Sequence, residues 1–502
     1  MAHEKEIIKE TSIFTLARYS AYFFTILTGL VIAKVLGPAE FGVYSALMLI
    51  VTYSQYSHLG LLHAIIKKVP FYKGRNEYEK AKETKNIAFT GAMVIILLIS
   101  LTFIIASFFI KNLDTHTING IRIVALIIIL QRIFFFYQTH LRVEKKILMV
   151  GKTLLVYSII YFICIIPLII RFRLEGIFFA SLIAYCIVIF YIFKKEKFKF
   201  KITIMPKKTV QLMRFGFPLL TMGIMSVFLL SIDKLMIIKF MDKVQLGYYS
   251  IGIMAAEIIS FIPHSISYII FPRFLERYGE KGDKSYLKNH LFQPTLIISY
   301  LIPVVIGLAF ITAPVVIYYI LPRYIQGITP IKILVCAIFF MSVMTPAVIF
   351  LITVNKERKM LLIQAISITI AITLNYLFII NGYGINGVAI ATAISYFFYG
   401  TCILVYSFRY YIDTVTQFIK FFTKIYAPFL YIIVILALSS LVPITGNLSR
   451  DILLTILKLA VFLVLSIPLV WLANKKTGVV KTFFDMIFLR FIKNNKNKSL
   501  IK

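Results

Sequence analysis

The pattern of apolar and polar positions divides the 502-residue chain into long apolar runs joined by short polar links. A hydrocarbon core of about 30 Å needs roughly 20 apolar residues for each helix that crosses it. The runs therefore predict fourteen transmembrane helices and an all-α polytopic membrane protein. The predicted spans are residues 13–35, 42–66, 87–110, 119–141, 149–170, 176–193, 211–238, 246–270, 291–319, 328–353, 360–380, 385–407, 425–443 and 452–473.

Basic residues are distributed unevenly between alternate links. One set of links holds 29 Lys and Arg residues, whereas the links of the opposite set hold 9. Because basic links stay on the cytoplasmic side, this asymmetry predicts a multi-pass protein of the cell (inner, cytoplasmic) membrane with both termini in the cytoplasm. The richer links are residues 67–85, 142–152, 194–208, 273–288, 356–359 and 409–424.

The chain repeats itself. Residues 38–45 (PAEFGVYS) match residues 243–250 (KVQLGYYS) at an offset of 205, and residues 173–185 match residues 384–396 at an offset of 211. Since each copy contains six spans, an even number, the two copies enter the membrane in the same direction and form a parallel repeat. The predicted organisation is an N-terminal six-helix bundle (1–193), a basic cytoplasmic linker (194–210), a C-terminal six-helix bundle (211–407), helices 13 and 14 (408–473) and a basic tail (474–502).

Composition supports a membrane protein. The chain is 60% hydrophobic and 15% charged, with a mean hydropathy of +0.90, which soluble domains do not reach. Its net charge of +33 is explained by membrane topology and by attraction to anionic lipid headgroups, so no nucleic-acid partner is predicted. The four cysteines lie inside apolar runs without metal-ligand spacing, so neither a metal site nor a disulfide is expected. No cleavable signal peptide is expected.

Four stretches resemble Wzx-type polysaccharide (O-antigen, lipid-linked oligosaccharide) flippases of the multidrug/oligosaccharidyl-lipid/polysaccharide exporter superfamily. They are residues 36–45 (LGPAEFGVYS), 58–63 (HLGLLH), 231–237 (SIDKLMI) and 382–395 (GYGINGVAIATAIS). The resemblance implies a MATE-like fold of two six-helix bundles plus two C-terminal helices. It also implies translocation of an undecaprenyl-pyrophosphate-linked oligosaccharide from the cytoplasmic to the outer leaflet by alternating access, for surface polysaccharide or lipopolysaccharide biosynthesis. A polysaccharide polymerase and chain-length machinery are the implied protein partners. No cofactor is implied, and coupling to H+ or Na+ is open.

An anionic pyrophosphate needs cations in the cavity, and ionisable side chains at membrane depth are costly enough to be functional candidates. Arg132, near the middle of the fourth span, is predicted to face the cavity, or else to pair with a buried acid. Arg18 could grip phosphate or snorkel to the headgroups. His58 and His264 fall at nearly equivalent repeat positions and could contact phosphate, sense protons or only pack.

Three further ionisable residues are candidates for coupling or gating. Asp233 and Lys234, toward the outer end of the seventh span, could form a gate, bind a coupling cation or make a structural pair. Glu257, in the middle of the eighth span, could carry a proton or neutralise Arg132 or Arg18.

No catalytic arrangement or nucleotide-binding loop is visible, so the chain is not predicted to be an enzyme. Two other functions stay open. A cation-coupled multidrug antiporter of the same superfamily is disfavoured because deep cations outnumber deep acids. A membrane polysaccharide polymerase is disfavoured because the outer links are short.

Overall fold

The described chain is almost entirely α-helical. The computed structural model describes residues 2–109, 115–196, 200–281 and 287–477, with side chains for all of these except 2–12, 15, 262, 264–281 and 476–477. No strand occurs in these ranges. A helix satisfies its backbone N–H and C=O groups internally, which is why apolar runs of this length cross a bilayer as helices.

The helices are α1 (Ala2–Ser54), α2 (Leu61–Gly74), α3 (Tyr78–Phe109), α4 (Thr115–Val143), α5 (Ile147–Lys195), α6 (Pro206–Phe240), α7 (Lys243–Lys281), α8 (Lys288–Ile320), α9 (Ile328–Val343), α10 (Thr345–Thr353), α11 (Glu357–Ile380), α12 (Gly384–Phe408), α13 (Val415–Ser440) and α14 (Leu448–Thr477). A 3-10 helix, Pro322–Gly327, lies between α8 and α9.

Among the described residues, twelve helical segments are long and apolar enough to cross a membrane. Two of them are kinked: α1 at Gly37 (φ 73°) and α5 at Arg173 (φ 47°). Helix α5 contains the fifth and sixth predicted spans, and α1 contains the first span from Leu16 and the first part of the second, because each of these pairs is joined by a single kink. The twelve segments therefore overlap all fourteen predicted spans, and the all-α polytopic fold is confirmed.

The chain forms two compact units, residues 1–250 and 251–502. The first unit includes α6, which packs against α1, α2 and α3. The predicted limits of the two repeat bundles follow the sequence repeat and not such contacts, so they stay a prediction.

The repeated glycines of the two motifs contact one another within the first unit. A side chain at Gly42 would meet the carbonyl oxygen of Lys243, 1.8 Å from its Cβ position. A side chain at Gly247 would likewise meet the carbonyl oxygen of Pro38, at 1.9 Å. Gly247 follows Gly42, and Lys243 follows Pro38, by the repeat offset of 205. The two copies thus make the same contact reciprocally, at a distance that only glycine allows.

The serines that end the two motifs meet at the same place. Ser250 Oγ donates a hydrogen bond to Ser45 Oγ over 2.7 Å, and both residues are buried. They too are 205 residues apart. The motif is therefore a packing element through which residues 38–45 and 243–250 hold each other.

A carboxylate just after α4 joins three helices of the first unit. Glu144 pairs with Lys73 of α2 through one oxygen (2.5 Å) and with Lys85 of α3 through the other (3.0 Å). Burial raises the pKa of Glu144, but the hydrogen bonds and positive charges of the two lysines outweigh it and lower the pKa to about 2. Glu144 thus stays ionised and fixes the ends of α2, α3 and α4.

Replacing Glu144 with Gln should lower the melting temperature of the purified protein by several degrees. The change removes the ion pairs that Glu144 makes with Lys73 and with Lys85, whose side chain is 11% exposed, and breaking a partly buried ion pair is destabilising. Because the folded-state pKa is depressed, this contribution is present above the ordinary pKa near 4.5 and is lost as the pH falls toward 2.

Thermal unfolding of the detergent-solubilised protein between pH 3 and pH 7 would test this. Glu77→Gln is the matched control, since Glu77 pairs with the more exposed Arg75 and Lys80. Equal melting temperatures for the two variants at neutral pH would contradict the structural role of Glu144.

Candidate functional site

The second predicted span, residues 42–66, is interrupted by a turn at residues 55–60. Between the end of α1 at Ser54 and the start of α2 at Leu61, the chain makes a turn in which Leu59 (φ 44°) and Gly60 (φ 90°) are left-handed. Gly60 also lies against the backbone of Gly216 in α6: a Cβ built on Gly60 would be 2.8 Å from the carbonyl carbon of Gly216. Such a break exposes backbone polar groups, which membrane proteins tolerate only inside protein or beside a cavity.

Arg132 of α4 contacts this break. Its side chain is 2% exposed, and Nη1 donates a hydrogen bond to the carbonyl oxygen of Gln55 over 2.8 Å. Nε and Nη2 are buried without a hydrogen-bond partner, and no described carboxylate forms an ion pair with the guanidinium. The centre of the Phe135 ring is 5.7 Å from the guanidinium carbon. A buried cation is costly without a counter-charge, so the site is suited to an anion.

Two histidines lie at the same break. His58 is 4% exposed, and its Nδ1 accepts a hydrogen bond from the Gly60 N–H over 3.0 Å. That bond places the proton of a neutral His58 on Nε2. The His63 ring is 5.1 Å from the His58 ring, and its buried Nε2 has no described partner. The charge of Arg132 acts on His58. Arg132, His58 and His63 therefore form one polar group, which we call the arginine site.

A cavity of about 200 Å³ lies near Arg132 within the first unit, and one of its lining residues, Tyr185, interacts electrostatically with Arg132. Gln131, the neighbour of Arg132, lines the cavity together with three tyrosines of α5. The Tyr157 and Tyr185 rings are 4.5 Å apart, and Tyr161 stacks on Tyr157 at 5.8 Å. Aromatic faces with hydroxyl groups suit ligands that are both apolar and polar, such as sugars.

The other predicted cations are not joined to the arginine site by a described contact. Arg18 is half-buried in the first part of α1. His264 is in α7, but its side chain lies outside the described residues. Their predicted roles stay predictions.

Asp233 and Lys234 occupy the C-terminal part of α6. The buried Asp233 accepts hydrogen bonds from Tyr249 Oη and from the Lys234 backbone N–H, both at 2.7 Å. The ammonium of Lys234 forms no described ion pair with it. The bond from Tyr249 ties α6 to α7, and a gating or coupling role stays a prediction. Glu257, also in α7, has an exposed side chain, and its role is likewise a prediction.

Sequence analysis missed three parts of this region: the break at 55–60, His63 and the tyrosine cavity. One usable signal was the spacing of Tyr157 and Tyr161, which places them on one face of a helix. A second was Tyr185, which the repeat reproduces as Tyr396.

Comparison with known proteins agrees with this fold. The family model of polysaccharide biosynthesis proteins matches residues 31–324, more than half of the chain. The lipid II flippase MurJ, in an inward closed conformation, has a similar structure (TM-score 0.68, 18% identity, 89% of this chain and 97% of that chain covered). No curated protein matches the chain in sequence.

Two further structures are transporters. One is the MATE transporter VcmN of Vibrio cholerae (TM-score 0.61, 14% identity, coverage 82% and 98%). The other is a MOP superfamily transporter from Pyrococcus furiosus (TM-score 0.59, 13% identity, coverage 80% and 95%). At these identities the structures show the fold alone. The chain belongs to the polysaccharide biosynthesis protein family and has a fold similar to those of MurJ and of the two transporters.

Proposed function

We propose that this protein translocates an undecaprenyl-pyrophosphate-linked oligosaccharide from the cytoplasmic to the outer leaflet of the cell membrane by alternating access. The product would feed surface polysaccharide biosynthesis, such as that of O-antigen, beside a polymerase and chain-length machinery. The protein would act as a transporter and not as an enzyme.

The observation that carries the proposal is the buried Arg132 with two unpartnered donors. A guanidinium presents its N–H groups in a planar fork that matches phosphate oxygens, and hydrogen bonds between ionised groups are the strong ones. A cationic drug would be repelled at this position. The similarity of the fold to that of a lipid II flippase supports a lipid-linked substrate.

A translocation assay in vesicles tests the substrate class. The purified protein is reconstituted with a fluorescent undecaprenyl-pyrophosphate oligosaccharide, and a membrane-impermeant quencher is added outside. With the protein present, quenching should exceed that of protein-free vesicles, and an unlabelled pyrophosphate-linked lipid should compete whereas the free polyprenol should not. Gradients of H+ and Na+ are imposed in turn to identify any coupling ion.

Two outcomes oppose the proposal. If quenching matches that of protein-free vesicles under every gradient, translocation of this substrate is refuted. If the same vesicles instead accumulate a cationic dye under an H+ or Na+ gradient, the protein is a multidrug antiporter.

A further inference from the structure

The second unit contains a polar pocket of its own. It is a cavity of about 280 Å³ among α8, α9, the end of α13 and the start of α14. The link 441–447, between α13 and α14, borders it and belongs to the links poor in basic residues, which are predicted to face the outer side. The pocket is therefore placed near the outer membrane surface.

Two lysines from different helices line this pocket. Lys332 of α9 lies over the Phe310 ring, 5.0 Å from its centre. Lys458 of α14 reaches back to donate a hydrogen bond to the Val442 carbonyl oxygen over 2.7 Å. Both side chains are half-buried, and the charge of Lys332 acts on Lys458. Neither ammonium forms an ion pair with a described carboxylate.

One carboxylate also lines the pocket, but its oxygens are already occupied. The buried Asp451 accepts hydrogen bonds from Tyr319 Oη at 2.6 Å, from the Thr445 N–H and hydroxyl at 2.8 Å, and from the Gly446 N–H at 3.0 Å. These bonds make Asp451 the anchor of the link between α13 and α14. It offsets one of the two positive charges, so the pocket keeps a net positive charge.

A single lysine near the end of a membrane helix is explained by snorkelling toward water. Two lysines that line one cavity from separate helices repel each other, and an anion between them would remove that repulsion. The surrounding helix faces are apolar and exposed: Leu441 is 75% exposed and Leu453 is 67% exposed. An anion that also carries acyl chains fits both features.

We propose that this lysine pocket, lined by Lys332 and Lys458, binds the phosphate headgroup of a membrane lipid in the predicted outer leaflet, with the acyl chains lying along α14. The site is separate from the arginine site and does not depend on the transported substrate. Ammonium groups bind phosphate as point charges, which suits headgroups of varied shape.

Native mass spectrometry of the purified protein with phosphatidylglycerol tests the lysine pocket. The double variant Lys332→Gln/Lys458→Gln should bind this lipid about tenfold more weakly or worse, because two charge-assisted contacts are removed. Diacylglycerol with the same acyl chains should not compete. The matched control Lys420→Gln/Lys424→Gln removes the same charge from exposed positions of α13 and should change binding by less than about twofold.

An equal loss of affinity for phosphatidylglycerol in the two double variants would overturn the proposal. Competition by inorganic phosphate at the concentration of the lipid would also overturn it, in favour of a site for soluble anions. A second measurement needs no variant. Phosphatidylglycerol should protect Lys332 and Lys458 of the wild-type protein from acylation by an amine-reactive reagent, and labelling that is unchanged by the lipid would contradict the site.

Discussion

Replacing Arg132 with Gln is expected to lower export of the lipid-linked glycan about tenfold or more while the protein remains folded. The variant keeps a hydrogen-bond donor toward Gln55 but removes the positive charge and the fork that would hold a pyrophosphate. A hydrogen bond to a charged group contributes roughly 1.5–3 kcal/mol, so losing one such contact should weaken substrate binding about tenfold or more. Arg132→Lys should give intermediate transport, because lysine keeps the charge without the fork.

Thermal unfolding distinguishes this role from a structural one. Since an unpaired buried charge is costly, Arg132→Gln should have a melting temperature equal to or above that of the wild type. Surface glycan and lipid-linked precursor in cells, together with the vesicle assay, give the transport readout.

The matched control is Arg122→Gln, which removes an arginine from the same helix. Arg122 donates to Ser107 and lies 4.5 Å from the Phe108 ring, so its loss should leave transport largely unchanged. Normal transport in both glutamine variants at normal protein levels would refute the role of Arg132.

The position of Arg132 also shows how the two repeats differ. At the offset of 211, Arg132 corresponds to Val343, which is fully buried at the end of α9. Gly42 and Gly247 make the same close contact in both copies, whereas the position of the buried arginine is taken by a buried valine in the second copy. We infer that duplication supplied the scaffold and that later divergence placed the charge.

Much of this architecture was predictable from the sequence, because membrane spans depend on composition over long windows. The burial of Arg132 agrees with its place near the middle of the fourth predicted span, whereas its role stays a prediction. Its partner was not predictable: Gln55 lies 77 residues away and offers a backbone carbonyl, which no residue pattern reveals. The left-handed conformation of Leu59 could not be predicted either, because leucine is a favourable helix residue.

The lysine pocket illustrates a second limit. Lys332 and Lys458 are separated by 126 positions, and each alone has the sequence context of a snorkelling lysine. Only packing of α9 near α14 places them around one cavity. Two lysines that are distant in sequence can be recognised as lining one cavity only when it is known which helices pack together.

A disulfide between residues 45 and 250 is expected to stop transport. The Ser45 and Ser250 hydroxyl oxygens are 2.7 Å apart, so cysteines there should bridge with a bond of about 2.05 Å after small side-chain adjustments. Alternating access in parallel repeats requires the two copies to rock against each other, and this contact joins one copy to the other. In the vesicle assay, vesicles containing the oxidised Ser45→Cys/Ser250→Cys protein should translocate the labelled lipid no faster than protein-free vesicles. Reduction of the disulfide should restore the translocation rate. The new cysteines are introduced into a variant in which the four native cysteines have been replaced, namely Cys164, Cys186, Cys336 and Cys402.

The matched control is Ala17→Cys/Gly151→Cys, which joins α1 to α5 inside the predicted N-terminal bundle. A Cβ built on Gly151 lies 3.3 Å from the Ala17 Cβ, close to disulfide geometry. Because rocking moves a bundle as a rigid body, this second bridge should leave the flipping rate near that of its reduced form. Each single cysteine variant should be insensitive to oxidant. If the protein bridged between residues 45 and 250 transports at the rate of its reduced form, the contact does not open during transport and rocking about it is refuted.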